Sequence, residues 1–290
     1  MKFNFFIFLV FFTFPALSQL KSENYKIYDS KAKKICTLEE IVSVLSEKDA
    51  VFFGEEHNDP TGHQLEIEIL RMLHLKNGKK QALSMEMFET DVQQVLNEYL
   101  QNLIREKNFI KESRSWNNYT DYKPMIEYSR EQGIQVIAAN TPNRYVNIVT
   151  RKGLSGLDSL NKTARKWLPP LPIDTAAGKY YDNFLKTMGG HKVPGMEIYQ
   201  AQNLWDSGMA WSIIKYLKKH KNDKIFHVAG HFHSDEKLGT VAQVIKLRPS
   251  LKITNISSFS DRTFNNPDWK KFTHLGDYII ITNPELKRTY

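Results

Sequence analysis

The feature that most constrains this chain is a set of short apolar runs that alternate with longer segments of helical periodicity. Such runs, bounded by polar residues, are typical of strands buried on both faces of a sheet. They lie at residues 50–53, 82–85, 134–139, 224–229, 251–256 and 278–281. Because strands that alternate with helices pair in parallel through right-handed crossovers, the pattern predicts an α/β fold with an open, mostly parallel sheet covered by helices.

Helices are predicted where apolar side chains recur every three or four residues. In the first of these segments, Leu65, Ile69 and Leu73 share one face. The predicted helices cover residues 65–73, 90–100, 121–131, 197–219 and 241–247. With 290 residues, of which 41% are hydrophobic and 25% charged, the chain has globular composition and is long enough for one large α/β domain.

Residues 143–196 fit the alternation of strands and helices poorly. This stretch lies between the third and fourth predicted strands and includes Pro169, Pro170 and Pro172. Long insertions inside a compact domain are usually functional or mobile. We therefore expect an inserted helical lid at residues 143–196 within a single domain that covers residues 19–290.

The N-terminus has the pattern of a secretory signal peptide. Lys2 precedes an apolar run at residues 5–14, and the small residues Ala16 and Ser18 occupy the positions typical of a cleavage site. The run is shorter than the ~20 apolar residues of a membrane span, and an uncleaved N-terminal anchor is the alternative. We expect residues 1–18 to be removed and the protein to be exported to the periplasm or cell envelope, without a transmembrane helix.

The single cysteine and the net charge exclude several functional classes. Cys36 alone cannot form an intrachain disulfide framework or a Cys-rich zinc or iron–sulfur site. It has no lipobox context, so we expect no lipid anchor at this residue. The formal net charge is +8, but the lysines are scattered and form no long basic run. We interpret the charge as a solvated surface that can help to bind a carboxylate-bearing ligand, and we expect no nucleic-acid partner.

Polar side chains follow each of the first four predicted strands. Ligands of open parallel sheets bind outside the carboxyl ends of the strands, so these side chains predict a shared site. In chain order, the candidates are Glu56, His57, Glu86, Asn140, His231 and His233. Asn140 is expected to line the pocket, and His231 to lie in it beside the other candidates.

Neighbouring residues have simpler interpretations. Glu55 is interpreted as a carboxylate that faces solvent, and Asp59 before Pro60 as the cap of the next helix. His63 lies on that helix, where an exposed or core position is more usual than metal ligation. None of these three residues is therefore expected to take part in the site.

The candidate residues permit two chemistries. Imidazoles and carboxylates can hold a divalent metal ion that activates water, or they can act as a metal-free acid–base pair. The chain has no His-Glu-x-x-His motif, no Gly-x-Ser-x-Gly turn and no Gly-rich phosphate loop. The commonest metalloprotease arrangement and the nucleophile-elbow hydrolases are therefore excluded.

The predicted helix at residues 197–219 carries polar groups on an apolar face. Gln202 and Asp206 share that face with Met209 and Ile213. Burying such groups is costly unless they find partners. They either form hydrogen bonds to loop backbone or point into the pocket, and the sequence leaves both alternatives open.

A set of separated motifs follows one order along the chain. They are residues 53–59, residues 84–88, Trp116 with Tyr119, Tyr122 and Pro124, residues 138–142, residues 201–206 with Met209 and Ala210, and residues 228–233. Together they resemble the haem-binding uptake family called ChaN, within the wider Tiki/TraB/erythromycin-esterase-like superfamily. The paired Gly-x-x-His elements, which end at His57 and His233, resemble the pattern of that superfamily, with Glu86 between them.

The resemblance implies haem capture at the lid and a role in haem or iron uptake at the bacterial envelope. Haem needs an apolar slot, an axial donor and cations for its propionates. The lid offers the donors Tyr180, Tyr181, His191, Met196 and Tyr199. His191 or a nearby tyrosine is the favoured ligand, and outer-membrane haem transport machinery is the implied partner.

The same superfamily includes metal-dependent peptidases and hydrolases. Under that alternative, Glu56, His57, Glu86 and His233 would be both the catalytic residues and the ligands of a divalent metal ion. A non-catalytic interaction module is a third alternative. The resemblance also allows a homodimer that holds haem between two protomers.

Overall fold

The computed structural model describes residues 20–175 and 178–290. The predicted signal peptide at residues 1–18 lies outside the described part of the chain. Within the described residues, eight strands form one sheet. They are β1 (Tyr25–Asp29), β2 (Lys34–Cys36), β3 (Ala50–Glu55), β4 (Gln81–Glu89), β5 (Gln135–Asn140), β6 (Lys224–Gly230), β7 (Ile253–Ser260) and β8 (Tyr278–Thr282). The six predicted strands correspond to β3 through β8.

The strand order is β2-β1-β8-β7-β3-β6-β4-β5. All pairs among β3 to β8 are parallel, whereas β1 is antiparallel to both β2 and β8. The α/β prediction is therefore confirmed. The antiparallel pair was not predicted because only Ile27 of β1 is buried, so the strand lacks an apolar run.

Helices cover both faces of the sheet. They are α1 (Leu38–Leu45), α2 (Pro60–Asn77), α3 (Gln93–Leu100), α4 (Glu106–Glu112), α5 (Tyr119–Gln132), α6 (Asn143–Lys152), α7 (Lys162–Arg165), α8 (Lys179–Thr187), α9 (Ile198–Lys219) and α10 (Gly239–Leu247). Across the described residues, no helix combines the length and the apolar character that a membrane crossing requires.

Alternation along β3 divides the core between the two faces. Val51 and Phe53 point into the cluster formed with α1 to α5, whereas Phe52 points into the cluster formed with α9 and α10. Successive side chains of a strand point to opposite faces, so Glu55 follows Phe53 on the α2 and α5 side. This alternation decides where the polar residues at the end of β3 lie.

Strand β6 brings the polar strand ends together. It lies between β3 and β4 in the sheet, although β4 is the next strand after β3 in the chain. Its register places Gly230 beside Glu55 and Val228 beside Met85. Glu86, the residue after Met85, therefore lies level with the residues that end β3 and β6. This is a point where the order of strands in the sheet departs from their order in the chain, as is typical of ligand sites in open α/β sheets.

Residues 143–196 form two differently packed parts. In the first, Tyr145, Leu157 and Leu168 pack with Leu204 of α9 in one apolar cluster. The second part is α8 (Lys179–Thr187). The whole stretch lies between β5 and α9 in the chain.

Helix α8 contacts the loop that follows β6. Asn183 Nδ2 donates to Glu236 Oε1 at 2.8 Å, and Lys179 forms an ion pair with Glu236. The Phe184 ring lies 5.2 Å from that of Tyr199 and 6.5 Å from that of Phe232. These contacts position α8 beside the carboxyl ends of the strands.

We predict that Gly54→Ala destabilises the fold. A Cβ at Gly54 would lie 2.7 Å from the Cα of His231 and 2.4 Å from Ser234 Oγ, so β3 and the loop after β6 would have to separate. The expected loss is about 1–3 kcal/mol, as is typical of overpacking. Urea unfolding followed by circular dichroism measures it. Gly62→Ala in α2 is the control, because its Cβ makes only ordinary contacts at 3.4 Å. Equal midpoints for the two variants would contradict the prediction.

Candidate functional site

His57 is held in one orientation by a buried carboxylate. Its Nδ1 lies 2.7 Å from Glu55 Oε1, which also accepts a hydrogen bond of 2.8 Å from Tyr122. A Cβ on Gly230 would lie 2.8 Å from His57 Nε2 and 3.7 Å from Glu86 Oε2. The Nε2 atom therefore faces the space between Gly230 and Glu86, which only glycine leaves open.

His233 is held in the same manner from the opposite side. It lies in a short 3-10 helix (His231–His233) directly after β6. Its Nδ1 lies 2.7 Å from Asp206 Oδ1 of α9, and its Nε2 lies 3.5 Å from Glu86 Oε1. Glu86 Oε2 accepts a hydrogen bond of 2.8 Å from the Gly230 amide. We call Glu86, His57 and His233 the two-histidine site.

Charge interactions dominate the protonation of this site. Burial alone would raise the pKa of Glu86, but His233, His57 and the Gly230 amide lower it to about 2. Burial would lower the pKa of His233, whereas Glu86 and Asp206 raise it to about 10. The pKa of His57 is also raised, because Glu55 and Glu86 outweigh its burial. Without a metal ion, the site therefore holds an anionic Glu86 beside a protonated His233.

The polar face of α9 points into the site. Asp206 Oδ1 also accepts from Thr240 Oγ1 at 3.0 Å, and its Oδ2 accepts from Tyr180 OH at 2.5 Å. Gln202 Nε2 donates to Tyr180 OH at 3.1 Å and lies 3.2 Å from His233 Nδ1. Gln202 and Asp206 therefore contact the side chain of His233, and neither is among the lining residues of the cavity that opens at Glu86.

Glu56 and His231 are directed away from Glu86. Glu56 Oε2 accepts a hydrogen bond of 3.0 Å from the Ser260 amide and pairs with Arg288 Nη2 at 2.5 Å. His231 Nδ1 lies 2.7 Å from Asp235 Oδ2. The structure therefore brings together His57, Glu86 and His233 from the predicted set, but not the carboxylate of Glu56.

An open cavity of about 980 Å³ leads to Glu86. Asn140 is 7% exposed, and its Oδ1 accepts a hydrogen bond from the Thr141 amide. The cavity is lined by Glu86, Glu89, Asn140, Arg114, Arg144, Arg151, Trp116 and Trp205, among others. Asn140 and Glu86, which the sequence places at two strand ends, thus share one cavity.

A second cavity, of about 550 Å³, lies between α8 and the start of α9. We call it the lid cavity. Its wall includes four of the predicted haem donors, namely Tyr181, His191, Met196 and Tyr199. The fifth, Tyr180, is not among its lining residues, because its hydroxyl is hydrogen-bonded to Asp206.

Glu55 is the principal residue that sequence reasoning missed. It is 1% exposed, so the prediction that it faces solvent is wrong. Its position two residues after the core residue Phe53 could have placed it on the same buried face of β3. His63 is also buried, at 6% exposure, and its Nδ1 lies 3.2 Å from Glu55 Oε2.

Three potential metal ligands come together at a different place from the predicted set. Within residues 20–175 and 178–290, the group whose ligand atoms all lie within 4.8 Å of one another is Glu55, His63 and Glu66. All three are buried. No three of Glu56, His57, Glu86 and His233 form such a compact group, and Glu56 turns towards Arg288.

A family model described as "Haem-binding uptake, Tiki superfamily, ChaN" matches residues 41–244 of the chain. The match includes the end of β3, Glu86, the whole of residues 143–196 and the segment around His233. It therefore covers both the two-histidine site and the lid cavity.

The solved structure titled "Cofacial heme binding to ChaN of Campylobacter jejuni" is similar in fold, with a TM-score of 0.67 and 15% identity. The similarity covers 90% of this chain and 98% of that one. Among curated proteins, the chloroplastic protein RETICULATA-RELATED 5 of Arabidopsis thaliana is 28% identical over 127 residues. That match covers 41% of this chain, and the chain spans only 17% of the plant protein.

We predict that Asp206→Asn lowers the pKa of His233 by about 1–3, because it removes one of the two carboxylates that raise it. NMR titration of the histidine ring protons measures the change. In the native protein His233 contributes stability that is complete below about pH 6.5 and is lost as the pH rises towards 10. The variant should lose less stability across that interval. Asp235→Asn, which alters only the partner of His231, is the control. An unchanged His233 titration in Asp206→Asn would contradict the assignment.

Proposed function

The chain belongs to the ChaN family of haem-binding uptake proteins within the Tiki superfamily, and on this premise we propose that it binds haem in the lid cavity. The observation that carries the proposal is a single cavity whose wall holds tyrosine, histidine and methionine side chains, which are the donor types that bind haem iron. Its volume of about 550 Å³ lies within the ~300–1,000 Å³ of small-molecule and cofactor sites.

The lining of the lid cavity meets the three requirements of haem. Phe184, Met188 and Val193 supply apolar surface for the macrocycle. Lys192, which is exposed and lies over the Tyr181 ring at 5.5 Å, supplies a cation for a propionate. Axial donors project from the same wall.

We assign Tyr181 as the axial ligand and His191 as the alternative donor. A phenolate is a hard anionic oxygen that suits ferric iron. Lys192 lies 5.5 Å from the centroid of the same ring, so this donor and a cation for a propionate come from one part of the cavity wall. Tyr180 is disfavoured because its hydroxyl already donates to Asp206.

The proposal includes export and a role in haem or iron uptake at the bacterial envelope. The signal-peptide pattern at residues 1–18 supports export. Outer-membrane haem transport machinery is the proposed partner. A homodimer that holds haem between two protomers is compatible with the position of the lid cavity, because His191 and Met196 are exposed.

The two-histidine site supports a second candidate function, a divalent-metal-dependent hydrolase or peptidase. A carboxylate at Nδ1 of each imidazole fixes the tautomer whose Nε2 can bind a metal, an arrangement typical of metal-ligating histidines. His57, Glu86 and His233 therefore offer ligand types that suit a divalent ion, although their ligand atoms do not all lie within 4.8 Å of one another, and Glu56 turns towards Arg288. Such an ion would activate water when bound.

In that second function, the chain's own groups would orient the ligands and the substrate. Glu55 and Asp206 hold the imidazoles, and Gly230 leaves room beside His57 Nε2. The open cavity before Glu86 would admit the substrate, and Arg114, Arg144 and Arg151 in its wall would favour an anionic one.

We predict that the purified protein binds hemin saturably, with a shifted Soret band in an absorbance titration. Tyr181→Phe should weaken binding by about tenfold or more, because it removes the iron–oxygen bond but keeps the ring. Lys192→Gln should weaken it less, since solvent screens an exposed charge.

The controls for hemin binding substitute the same residue types, a tyrosine and a histidine, at positions outside the lid cavity. Tyr128→Phe and His220→Ala should bind hemin as the native protein does. The proposal fails if the native protein shows no saturable Soret change. The ligand assignment alone fails if His191→Ala, and not Tyr181→Phe, removes the band.

We predict that any metal-stimulated ester or peptide hydrolysis depends on the two-histidine site. Glu86→Gln should lower turnover with Mn²⁺, Co²⁺ or Zn²⁺ by at least about 100-fold, because it removes the charge shared by both imidazoles. Initial rates on p-nitrophenyl acetate and on a fluorescent peptide library measure it, with the exposed His274→Ala as the control. An absence of turnover with all three ions would leave haem binding as the sole candidate.

A further inference from the structure

A buried group of three side chains lies behind His57, on the α2 side of the sheet. His63 Nδ1 lies 3.2 Å from Glu55 Oε2 and 3.4 Å from Glu66 Oε2. The side chains of both glutamates are fully buried, and that of His63 is 6% exposed. Two carboxylates thus converge on one imidazole nitrogen in a place that water does not reach freely.

The hydrogen bond at the other ring nitrogen fixes which atom of His63 carries a proton. His63 Nε2 lies 3.2 Å from the carbonyl oxygen of His57, which can only accept. Nε2 is therefore the donor, and a neutral ring presents the lone pair of Nδ1 to the two carboxylates. That arrangement sets three lone-pair-bearing atoms against one another unless a proton or a metal ion lies between them.

The carboxylates themselves point to the same conclusion. Glu66 Oε1 is buried and has no hydrogen-bond partner among the described residues, and Glu55 Oε2 is likewise without a hydrogen bond apart from its ion-pair contact of 3.2 Å with His63 Nδ1. Buried carboxylates without donors are expensive and are usually paired or bound to a metal. Tyr122 and His57 satisfy only the other oxygen of Glu55.

We propose that Glu55 Oε2, His63 Nδ1 and Glu66 Oε2 bind a first-row divalent ion such as Zn²⁺ or Mn²⁺. Zinc binds imidazole nitrogen and carboxylate oxygen at ~2.0–2.2 Å, so tetrahedral ligands lie about 3.3 Å apart. The two distances to Nδ1 match this spacing. A divalent charge balances both carboxylates, and the imidazole selects against Mg²⁺ and Ca²⁺, which prefer oxygen.

The backbone contact of His63 is the kind of support that metal-binding histidines usually have. A ligating imidazole normally donates its other N–H to a carbonyl or carboxylate. Here Nε2 contacts the His57 carbonyl, and Asp121 Oδ2 lies 3.8 Å away as a second acceptor. The carbonyl also accepts from Asn118 Nδ2 at 3.1 Å, so its position is fixed.

An entry path reaches this group from the surface. A cavity of about 730 Å³ is lined by His63 together with Pro60, Gln64, Asp121 and Thr289. This cavity differs from the one that opens at Glu86, which has no lining residue in common with it. The proposed ion would thus be loaded from the α2 and α5 side, separately from any ligand of the two-histidine site.

The test measures Zn²⁺ and Mn²⁺ bound by the purified, chelator-treated protein, using isothermal titration and elemental analysis after dialysis. The native protein should bind one equivalent at this group. His63→Ala and Glu66→Gln should weaken that binding at least about 100-fold, because even changes outside the ligand shell cost ~10–100-fold. His74→Ala on the same helix is the matched control and should leave it unchanged.

His233→Ala separates this group from the two-histidine site, since it removes a ligand of that site only. Retention of one equivalent in His233→Ala supports the proposal, and its loss there assigns the ion to the two-histidine site and overturns it. If His63→Ala does not fold, zinc X-ray absorption of the native protein loaded with one equivalent decides. One imidazole with oxygen ligands supports the proposal, and two imidazoles overturn it. A native protein that binds no ion at all means that a proton occupies the group, and it also overturns the proposal.

Discussion

The carboxylate of Glu86 is a buried negative charge, and much of the surrounding structure follows from the need to neutralise it. Two imidazoles and one backbone amide face it, and each imidazole is held in place by a further carboxylate. Glu55 and Asp206 are in turn fixed by Tyr122 and Tyr180. A row of alternating acids and bases therefore crosses the sheet from α5 to α8, and the placement of β6 between β3 and β4 makes this row continuous.

That row of side chains connects α8 to the two-histidine site. The hydroxyl of Tyr180 and the imidazole of His233 share the carboxylate of Asp206, although Tyr180 belongs to α8 and His233 to the loop after β6. The ring of Tyr180 also lies 5.1 Å from that of Phe232. Any displacement of α8 by a ligand in the lid cavity would therefore alter the partners of His233 directly.

Much of the fold could be predicted from the sequence because its signals are local. Apolar runs identified the six parallel strands, and the Asp59-Pro60 cap agrees with the start of α2. Helix α1 was missed although Thr37 and Glu40 form a capping box that the sequence displays. The site was only partly predictable. Convergence of His57, Glu86 and His233 follows from strand polarity, but the direction of Glu56 depends on Arg288, which lies 232 residues away in the chain.

The pairing of β1 with β8 has a consequence for how the chain reaches its final form. The first strand of the sheet pairs in antiparallel orientation with the last strand, through a register that joins Tyr25 to Thr282. While a chain emerges from the ribosome or crosses a membrane with its N-terminus first, β1 can pair with β2, but its other edge stays unpaired until β8 has appeared. Contacts so distant in sequence slow folding, and an unpaired strand is prone to aggregation. Lys26 and the short length of β1 limit that risk until β8 is available to pair with it.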